Sequence, residues 1–305
     1  MRFDSPLRYP GGKASLTAFL GRVIELNDLS GCSYFEPFAG GAGAALRLLR
    51  EGVVSELHLN DKDHCITAFW NAVLDEPERF VETIRSVPVS IAEWKRQQRV
   101  YLDAEASEPF DLGFSVFYLN RCNRSGILAG GAPIGGYAQA GKWQIDARFY
   151  RESLAKRVLT IAKKREQIHV TNMDAISFLV KHLPRGSERK HVFAYLDPPY
   201  WSNGNRLYMN FYKEQDHKTL AHYIRRQKTL NWVMSYDDAH FIRDLYKTCG
   251  IFHLSLQYSL QRKQKAQELL ITPSHVRLPD SVASIDTHEG KRCELKGDLN
   301  EYRGD

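Results

Sequence analysis

The chain has 305 residues, of which 43% are hydrophobic and 26% charged, and its formal net charge is +6. This length allows one large or two ordinary domains with a substantial core, and the composition is that of a soluble globular protein. No apolar run suggests a signal peptide or a membrane span. The five cysteines are scattered without a CxxC pair, which argues against a disulfide framework or a zinc site and favours a reducing cytosol.

The positive charge is unevenly distributed along the chain. Residues 280–305 include seven acidic and four basic residues, so this tail has a net charge of −3 and the rest of the chain +9. A basic body suits a polyanionic partner such as a nucleic acid. The tail has few apolar residues and no clear periodicity, so we expect it to be loosely ordered.

The first elements predicted along the chain are a helix and a βαβ unit. Residues 13–26 predict a helix with one apolar face, formed by Leu16, Phe19, Leu20, Val23 and Ile24. A strand at 33–38, the loop GGAG, a helix at AALRLLRE and a strand at 56–61 follow. A strand, a glycine-rich loop, a helix and a second strand in this order are typical of nucleotide-binding folds.

The loop FAGGAG, from Phe38 to Gly43, predicts a ligand site at the end of the first strand. Its glycines, among them Gly40, let a ligand approach the backbone, although tight packing alone explains such a loop about as well. Asp61 follows Gly43 by 18 residues, about the spacing from which an acid binds a ribose hydroxyl. The pair indicates a nucleoside-containing cofactor and leaves NAD and S-adenosylmethionine open.

Residues 65–157 interrupt the α/β pattern with helical stretches and a loop rich in Gly, Asn and Arg, which predicts an inserted domain. The loop covers residues 120–143 and is interpreted as a β-hairpin. Polar side chains there could cap turns, but arginines on a hairpin can reach guanine edges or phosphates. We therefore expect DNA contacts from Asn120, Arg121, Asn123, Arg124 and Lys142.

The α/β pattern then resumes, with strands predicted at 167–174, 191–196 and 231–236. An antiparallel pair is predicted at 252–260 and 266–272. The whole pattern predicts a doubly wound, Rossmann-like α/β core formed by residues 1–64 and 158–279. The mainly helical insert at 65–157 separates its two parts, and the tail at 280–305 follows it.

The buried strand at 191–196 runs into the sequence DPPY, residues 197–200. Prolines cannot donate ladder hydrogen bonds, so the strand must end by Asp197 and the loop leaves it in a fixed shape. An ordinary strand-ending loop with a solvated Asp is the alternative. Methylation of a nucleobase amine needs acceptors for the amine hydrogens, and the Asp197 carboxylate and the Pro198 carbonyl supply two. Tyr200 offers a ring on which an extruded base can stack, so we favour S-adenosylmethionine over NAD.

These motifs and their order resemble the Dam-like DNA adenine methylases, which use S-adenosylmethionine and act on the exocyclic amine of adenine. The likeness covers about residues 6–271 and includes LRYPGGK, FEPFAGG, LND, YLNRCNRSGI, LDPPY, LYMNFY and WVMSYDD. One departure is the loop, since relatives often have FxGxG where this chain has FAGGAG. The resemblance implies a methyltransferase core with a DNA-recognition insert, and cofactor contacts from Tyr9, Lys13, Phe38, Gly40, Asp61, Asp174 and Asp197.

The resemblance also implies a role for each of the main positions. Lys13 and Tyr9 are expected near the methionine end of the cofactor and Asp61 on its ribose. Asp197 is expected between cofactor and base. Lys13 could instead be a solvated lysine at a helix start, and Tyr9 could simply pack against its neighbours.

Other functions stay open at this stage. The same DPPY chemistry serves the amine of cytosine, related motifs methylate glutamine in proteins, and a weakly active relative could serve only to bind DNA in a defence module. The basic body favours DNA, and the absence of a Pro-Cys dipeptide argues against a ring-carbon cytosine methylase. We therefore expect a site-specific adenine methyltransferase acting on duplex DNA in the cytoplasm, associated with the nucleoid through its substrate. We expect no bound metal, because the histidines show no ligand spacing, and no association with a membrane. A companion restriction or defence protein is compatible with this function.

Overall fold

The computed structural model describes residues 5–8, 16–202, 212–257, 265–279 and 294–296. Within these ranges the helices are α1 (Thr17–Leu26), α2 (Gly43–Arg50), α3 (His64–Asp75), α4 (Pro77–Ser86), α5 (Ile91–Leu102), α6 (Pro109–Cys122), α7 (Arg151–Ala162), α8 (Ala175–His182), α9 (Glu214–Arg225) and α10 (His240–Tyr246). The strands are β1 (Cys32–Glu36), β2 (Val54–Asn60), β3 (Ile168–Thr171), β4 (Val192–Leu196), β5 (Asn231–Asp237), β6 (Gly250–Gln257), β7 (Lys265–Thr272) and β8 (Glu294–Lys296).

The strands form one mixed sheet in the order β3-β2-β1-β4-β5-β7-β6-β8. The first five strands in this order are parallel, whereas β7 is antiparallel to β5 and to β6. The order reverses direction between β1 and β4, where Tyr34 pairs with Phe193. Open α/β sheets bind ligands at the carboxyl ends of the strands beside such a switch point. The predicted doubly wound α/β core is confirmed.

Both faces of the central sheet are covered, which explains why its strands are apolar without alternation. All five residues of β4 are buried. Phe193 and Tyr195 pack on the face that α1, α2, α3, α6 and α7 cover, while Ala194 and Leu196 pack on the face of α8, α9 and α10. The five apolar residues predicted to form the buried face of the first helix are all buried.

The segment predicted as an insert folds as a group of helices, from α3 to the first half of α7. Its apolar side chains, such as Phe80 and Phe117, belong to the same continuous core as Tyr34 of β1. Packing therefore joins the helices directly to one face of the sheet. The assignment of residues 65–157 as a target-recognition domain stays a prediction.

The hairpin predicted within residues 120–143 is wrong. Residues 120–122 end helix α6, Arg124–Gly126 form a 3-10 turn, and the rest form turns and irregular chain, with one isolated antiparallel bridge between Asn123 and Pro133. Side chains replace ladder bonds: the Gln139 amide donates to the Ile134 carbonyl at 2.9 Å, and the amide of Asn123 donates to the Ile127 carbonyl at 2.7 Å. Asn and Gln side chains of this kind stabilise turns in place of strand pairing.

At the C-terminal end, the predicted antiparallel pair is confirmed as β6 and β7. Most of the predicted loose tail lies outside the described residues, and its three described residues form β8 beside β6. Within the described ranges, no helix combines the length and the apolar content of a membrane-spanning segment.

Candidate active site

The glycine-rich loop lies between β1 and α2, at the carboxyl edge of the sheet. Gly40 and Ala42 both have φ of +46°, a left-handed conformation that a glycine adopts more readily than an alanine. The loop is held by hydrogen bonds from the Ala39 amide to the Asn60 carbonyl and from the Trp70 indole to the Gly40 carbonyl, both 2.9 Å. The end of β2 and helix α3 therefore fix its backbone.

Asp61 follows β2 and joins this loop from the side. Its carboxylate accepts hydrogen bonds from the Gly40 and Asp63 amides, each at 2.9 Å. Burial raises its pKa to about 6, and these two hydrogen bonds oppose the shift. An ionised carboxylate offers about four acceptor positions, so Asp61 can anchor the loop and still accept hydrogen bonds from a ligand.

Asp197 follows β4 and is held by the neighbouring strand β5. The Ser235 hydroxyl donates to the Asp197 carboxylate at 2.6 Å, and the Tyr195 hydroxyl lies 2.8 Å from the same Ser235 oxygen. Because Ser235 has one hydroxyl proton and gives it to Asp197, Tyr195 must donate to Ser235. Ser235 and Tyr195 are fully buried, so two hydroxyl groups in series orient the Asp197 carboxylate.

The rest of the DPPY loop is also fixed from β5. Pro198 is buried and Tyr200 half-buried. The amides of Trp201 and Ser202 donate to the carboxylate of Asp237 at 2.8 and 2.7 Å. The Tyr200 ring lies 6.4 Å from that of Tyr236. The sequence prediction did not include Ser235 or Asp237 as site residues, although both lie in the segment WVMSYDD, which becomes the strand beside β4.

The Tyr236 ring that lies beside Tyr200 is itself held in place. Its hydroxyl is 2.7 Å from the Nδ1 atom of His217, a buried residue of α9. His217 in turn contacts the rings of Trp201 and Phe241. This aromatic group supports the DPPY loop from the face of the sheet that α9 and α10 cover.

Glu36, the last residue of β1, is a third acid at this edge and was not predicted as a site residue. Its side chain is 5% exposed, and its Oε2 atom has no hydrogen-bond partner among the described residues. Burial raises its pKa well above the ordinary value, the charges of Asp197 and Asp61 raise it further, and the Tyr34 hydroxyl partly offsets the shift. A buried acceptor of this kind calls for a partner.

The other predicted cofactor residues differ in their surroundings. Phe38 is half-buried, with its ring 5.7 Å from that of Tyr212. Asp174 is exposed and caps α8, accepting hydrogen bonds from the Ile176 and Ser177 amides at 3.0 and 3.3 Å. This capping role accounts for Asp174 without any ligand. Tyr9 and Lys13 lie outside the described residues.

Three of the five predicted DNA-binding residues lie inside the protein. Asn120 accepts a hydrogen bond from the Arg8 amide at 2.6 Å and donates to the Arg8 carbonyl at 2.7 Å. Asn123 accepts from the Trp94 indole at 2.6 Å. The guanidinium of Arg121 donates to the Arg148 carbonyl, and burial followed by repulsion from Arg8 lowers its pKa to about 9.

The predicted DNA contacts of Asn120, Arg121 and Asn123 do not fit these positions. All three side chains are buried, and their polar groups bond to the protein itself. The helix α6 that carries the first two is buried over nearly its whole circumference, which forces polar residues of its last turn into the interior.

Arg124 and Lys142 are in contrast exposed, as DNA contact requires. The Lys142 ammonium lies 5.9 Å from the ring centre of Trp143, which is itself exposed, as is Tyr137. These cationic and aromatic side chains are therefore available to solvent on the turns between α6 and α7.

The sheet order and the acids beside its switch point define a Rossmann-like methyltransferase fold. A family model described as D12 class N6 adenine-specific DNA methyltransferase matches residues 9–260, and the chain belongs to this family. It is therefore an enzyme that methylates adenine in DNA, and the cytosine alternative is not favoured. A search of curated proteins found no match.

Proposed function

We propose that the protein transfers the methyl group of S-adenosylmethionine to the N6 amine of adenine at a specific site in duplex DNA, after the base has rotated out of the helix. The observation that carries this proposal is the Asp197 carboxylate, which Ser235 holds at the end of β4 beside the glycine-rich loop. Positioned acceptors of this kind are what a weakly nucleophilic amine needs.

The residues at the switch point suit this cofactor. S-adenosylmethionine carries a sulfonium, an ammonium group and a ribose diol, so it needs hydrogen-bond acceptors and negative charge. Asp61 would accept from the ribose hydroxyls, and the unpartnered oxygen of Glu36 suits the ammonium group. A cation beside Glu36 would favour its ionised form and offset the cost of its burial. By resemblance, Tyr9, Lys13 and Phe38 would complete the contacts.

The chain's own groups then act on the base. When bound, the cofactor supplies the electrophilic methyl group. The Asp197 carboxylate accepts a hydrogen bond from one amine N–H, the Pro198 carbonyl accepts one from the other, and the lone pair is left to point at the methyl. As the new N–C bond forms, the methyl–sulfur bond would break with its electron pair left on the sulfur, and the methylated amine then loses one proton to solvent. The negative charge of Asp197 also stabilises the positive charge that develops on the amine during transfer. Tyr200 would stack on the extruded base, with Tyr236 behind it at 6.4 Å.

We assign DNA contact to the exposed turns between α6 and α7. Arg124 and Lys142 would meet phosphates or base edges, and Trp143 and Tyr137 offer rings that can stack or wedge. The net charge of +9 before the tail supports an association with DNA, and with it a cytoplasmic, nucleoid-associated enzyme. Partnership with a restriction or defence protein is a compatible role.

The test is nucleoside analysis and modification-sensitive sequencing of DNA from expressing cells, followed by assays of purified variants. We expect N6-methyladenine within one sequence context. Asp197→Ala should lower turnover by at least roughly 100-fold, as for the loss of a transition-state contact, while Asp197→Asn should retain more activity because one acceptor oxygen stays. Asp244→Ala, which removes an exposed acid of α10, is the matched control and should be active. A folded Asp197→Ala protein with full activity would exclude this mechanism.

A further inference from the structure

Three potential metal ligands meet on the sheet away from the active site. His58 of β2 and His169 of β3 are register partners on adjacent parallel strands. Glu56 precedes His58 by two residues, so its side chain points to the same face of the sheet. The sequence prediction saw no metal spacing because the two histidines are distant in the chain and only the β2–β3 pairing brings them together.

The distances between these ligand atoms suit a small divalent ion. The Glu56 carboxylate lies 3.1 Å from His58 Nε2 and 3.5 Å from His169 Nε2, and the ligand atoms of all three residues lie within 4.8 Å of one another. Metal–ligand bonds of about 2.0–2.2 Å in a tetrahedral arrangement separate neighbouring ligand atoms by about 3.3–3.6 Å. Small side-chain rotations would therefore bring the three groups around one ion.

Neighbouring residues hold two of the three ligands in place. The Ser33 hydroxyl donates to the Glu56 carboxylate at 2.6 Å. The imidazole of His58 stacks on Phe35, with ring centres 4.2 Å apart and planes 12° apart. Supporting contacts of this kind orient metal ligands in known sites. His169 is exposed, which leaves an entry path for the ion.

We propose that Glu56, His58 and His169 form a site for one divalent first-row transition metal ion such as Zn²⁺. Two imidazole nitrogens select this class over Mg²⁺ or Ca²⁺, which prefer oxygen ligands. Water would fill the remaining positions. Because His58 precedes Asp61 by three residues, the site lies roughly 10 Å from that acid along the strand, so it is separate from the active site.

The bound ion would link the edge strand β3 to its neighbour β2. β3 has four residues, Ile168–Thr171, and among the described strands it pairs with β2 alone, at the edge of the sheet. An ion bound by side chains of both strands links them, and it stabilises the folded chain by an amount that grows with the logarithm of the free ion concentration relative to its Kd. This inference does not depend on the proposed methylation chemistry.

The test uses the full chain with any affinity tag removed and with metals stripped by a chelator. Zn²⁺ is titrated by calorimetry, and Co²⁺ is added to a parallel sample to read the ligand set from its visible spectrum. The variants are His169→Ala and Glu56→Gln, with His240→Ala as the matched control because His240 is an exposed histidine on α10. Thermal unfolding with and without Zn²⁺ gives a second readout.

We expect one Zn²⁺ per chain in the wild type, with a higher unfolding temperature when it is bound. His169→Ala should weaken binding by at least about tenfold, since the loss of even an outer-shell partner costs roughly 10- to 100-fold in known sites. It should therefore reduce the thermal shift at a given Zn²⁺ concentration, while His240→Ala should bind as the wild type does. Equal binding by wild type and His169→Ala would overturn the proposal and would leave the three side chains as a hydrogen-bonded network only. An equal loss in His240→Ala would likewise overturn it, by showing nonspecific binding.

Discussion

Replacing Ser235 by alanine tests whether β5 orients the carboxylate of Asp197, which we propose is catalytic. The substitution removes the 2.6 Å hydrogen bond to Asp197 and the acceptor for the Tyr195 hydroxyl. A hydrogen bond to a charged group contributes about 1.5–3 kcal/mol. If most of that energy serves to hold Asp197 in its reactive orientation, the methyl-transfer rate falls by about 10- to 100-fold, since 1.4 kcal/mol corresponds to one factor of ten.

The same substitution has a separate effect on folding. Tyr195 is fully buried, and leaving its hydroxyl without an acceptor costs about 1–3 kcal/mol of the free energy of unfolding. Tyr195→Phe separates the two effects, because it removes the outer hydroxyl and leaves the bond from Ser235 to Asp197. We expect Tyr195→Phe to lower stability and to keep most of the methyl-transfer rate.

The assay is single-turnover methylation of a DNA duplex with labelled cofactor, run beside urea unfolding of each variant. Ser235→Thr keeps a hydroxyl and should restore much of the rate. Ser235→Ala at the wild-type rate, with the protein folded, would refute the reasoning and would leave Ser235 as a packing residue. An equal rate loss in Tyr195→Phe and Ser235→Ala would instead trace the effect to the buried hydroxyl pair as a structural unit.

Two further predictions concern the cofactor and the DNA. Burial raises the pKa of Asp61 to about 6, so the folded state favours the protonated carboxyl, and the stability that this protonation contributes is lost as pH rises through about 6. A cofactor that binds the ionised carboxylate gains affinity over the same pH range. S-adenosylmethionine affinity measured by calorimetry should therefore fall by roughly tenfold from pH 7 to pH 5, and a pH-independent affinity in wild type would contradict the assignment. Arg124→Ala should weaken duplex binding and lower its salt dependence without changing stability, and wild-type binding by this variant would exclude Arg124 from the DNA interface. Arg121→Ala should instead lower the free energy of unfolding, because Arg121 donates to the Arg148 carbonyl in the interior.

The fold could be predicted because its signals are local. A strand that is buried on both faces must be apolar throughout, and the VFAYL run of β4 meets that condition. Pro198 and Pro199 end the strand by chemistry that does not depend on its neighbours. Asp61 and Asp197 could be placed at one edge because the carboxyl ends of all the parallel strands of one sheet lie at the same edge, although β1 separates β2 from β4.

The interior role of Arg121 could not be read in the same way, because burial of a polar side chain depends on partners distant in the sequence. The carbonyls that Arg121 contacts belong to Pro6 and Arg148. One signal was present: residues 109–122 form a helix that is apolar over most of its circumference, and such helices are buried. The apolar circumference of this helix would have predicted that the last turn of α6 is buried in the protein interior.

The buried Asn120 joins helix α6 to the backbone of Arg8 near the N-terminus. Its side chain exchanges two hydrogen bonds with the backbone of Arg8 and a third with the Gly126 carbonyl at 3.0 Å. A Cβ atom on Gly126 would lie 2.5 Å from the Arg8 carbonyl, so only glycine permits this contact. The next residues after Arg8 include Tyr9 and Lys13, which the resemblance predicts to contact the cofactor. The end of α6 therefore holds Arg8 on one side and continues into the exposed turns on the other. If the segment after Arg8 binds the cofactor as we propose, we expect a distortion of Asn120 to affect both cofactor binding and DNA binding.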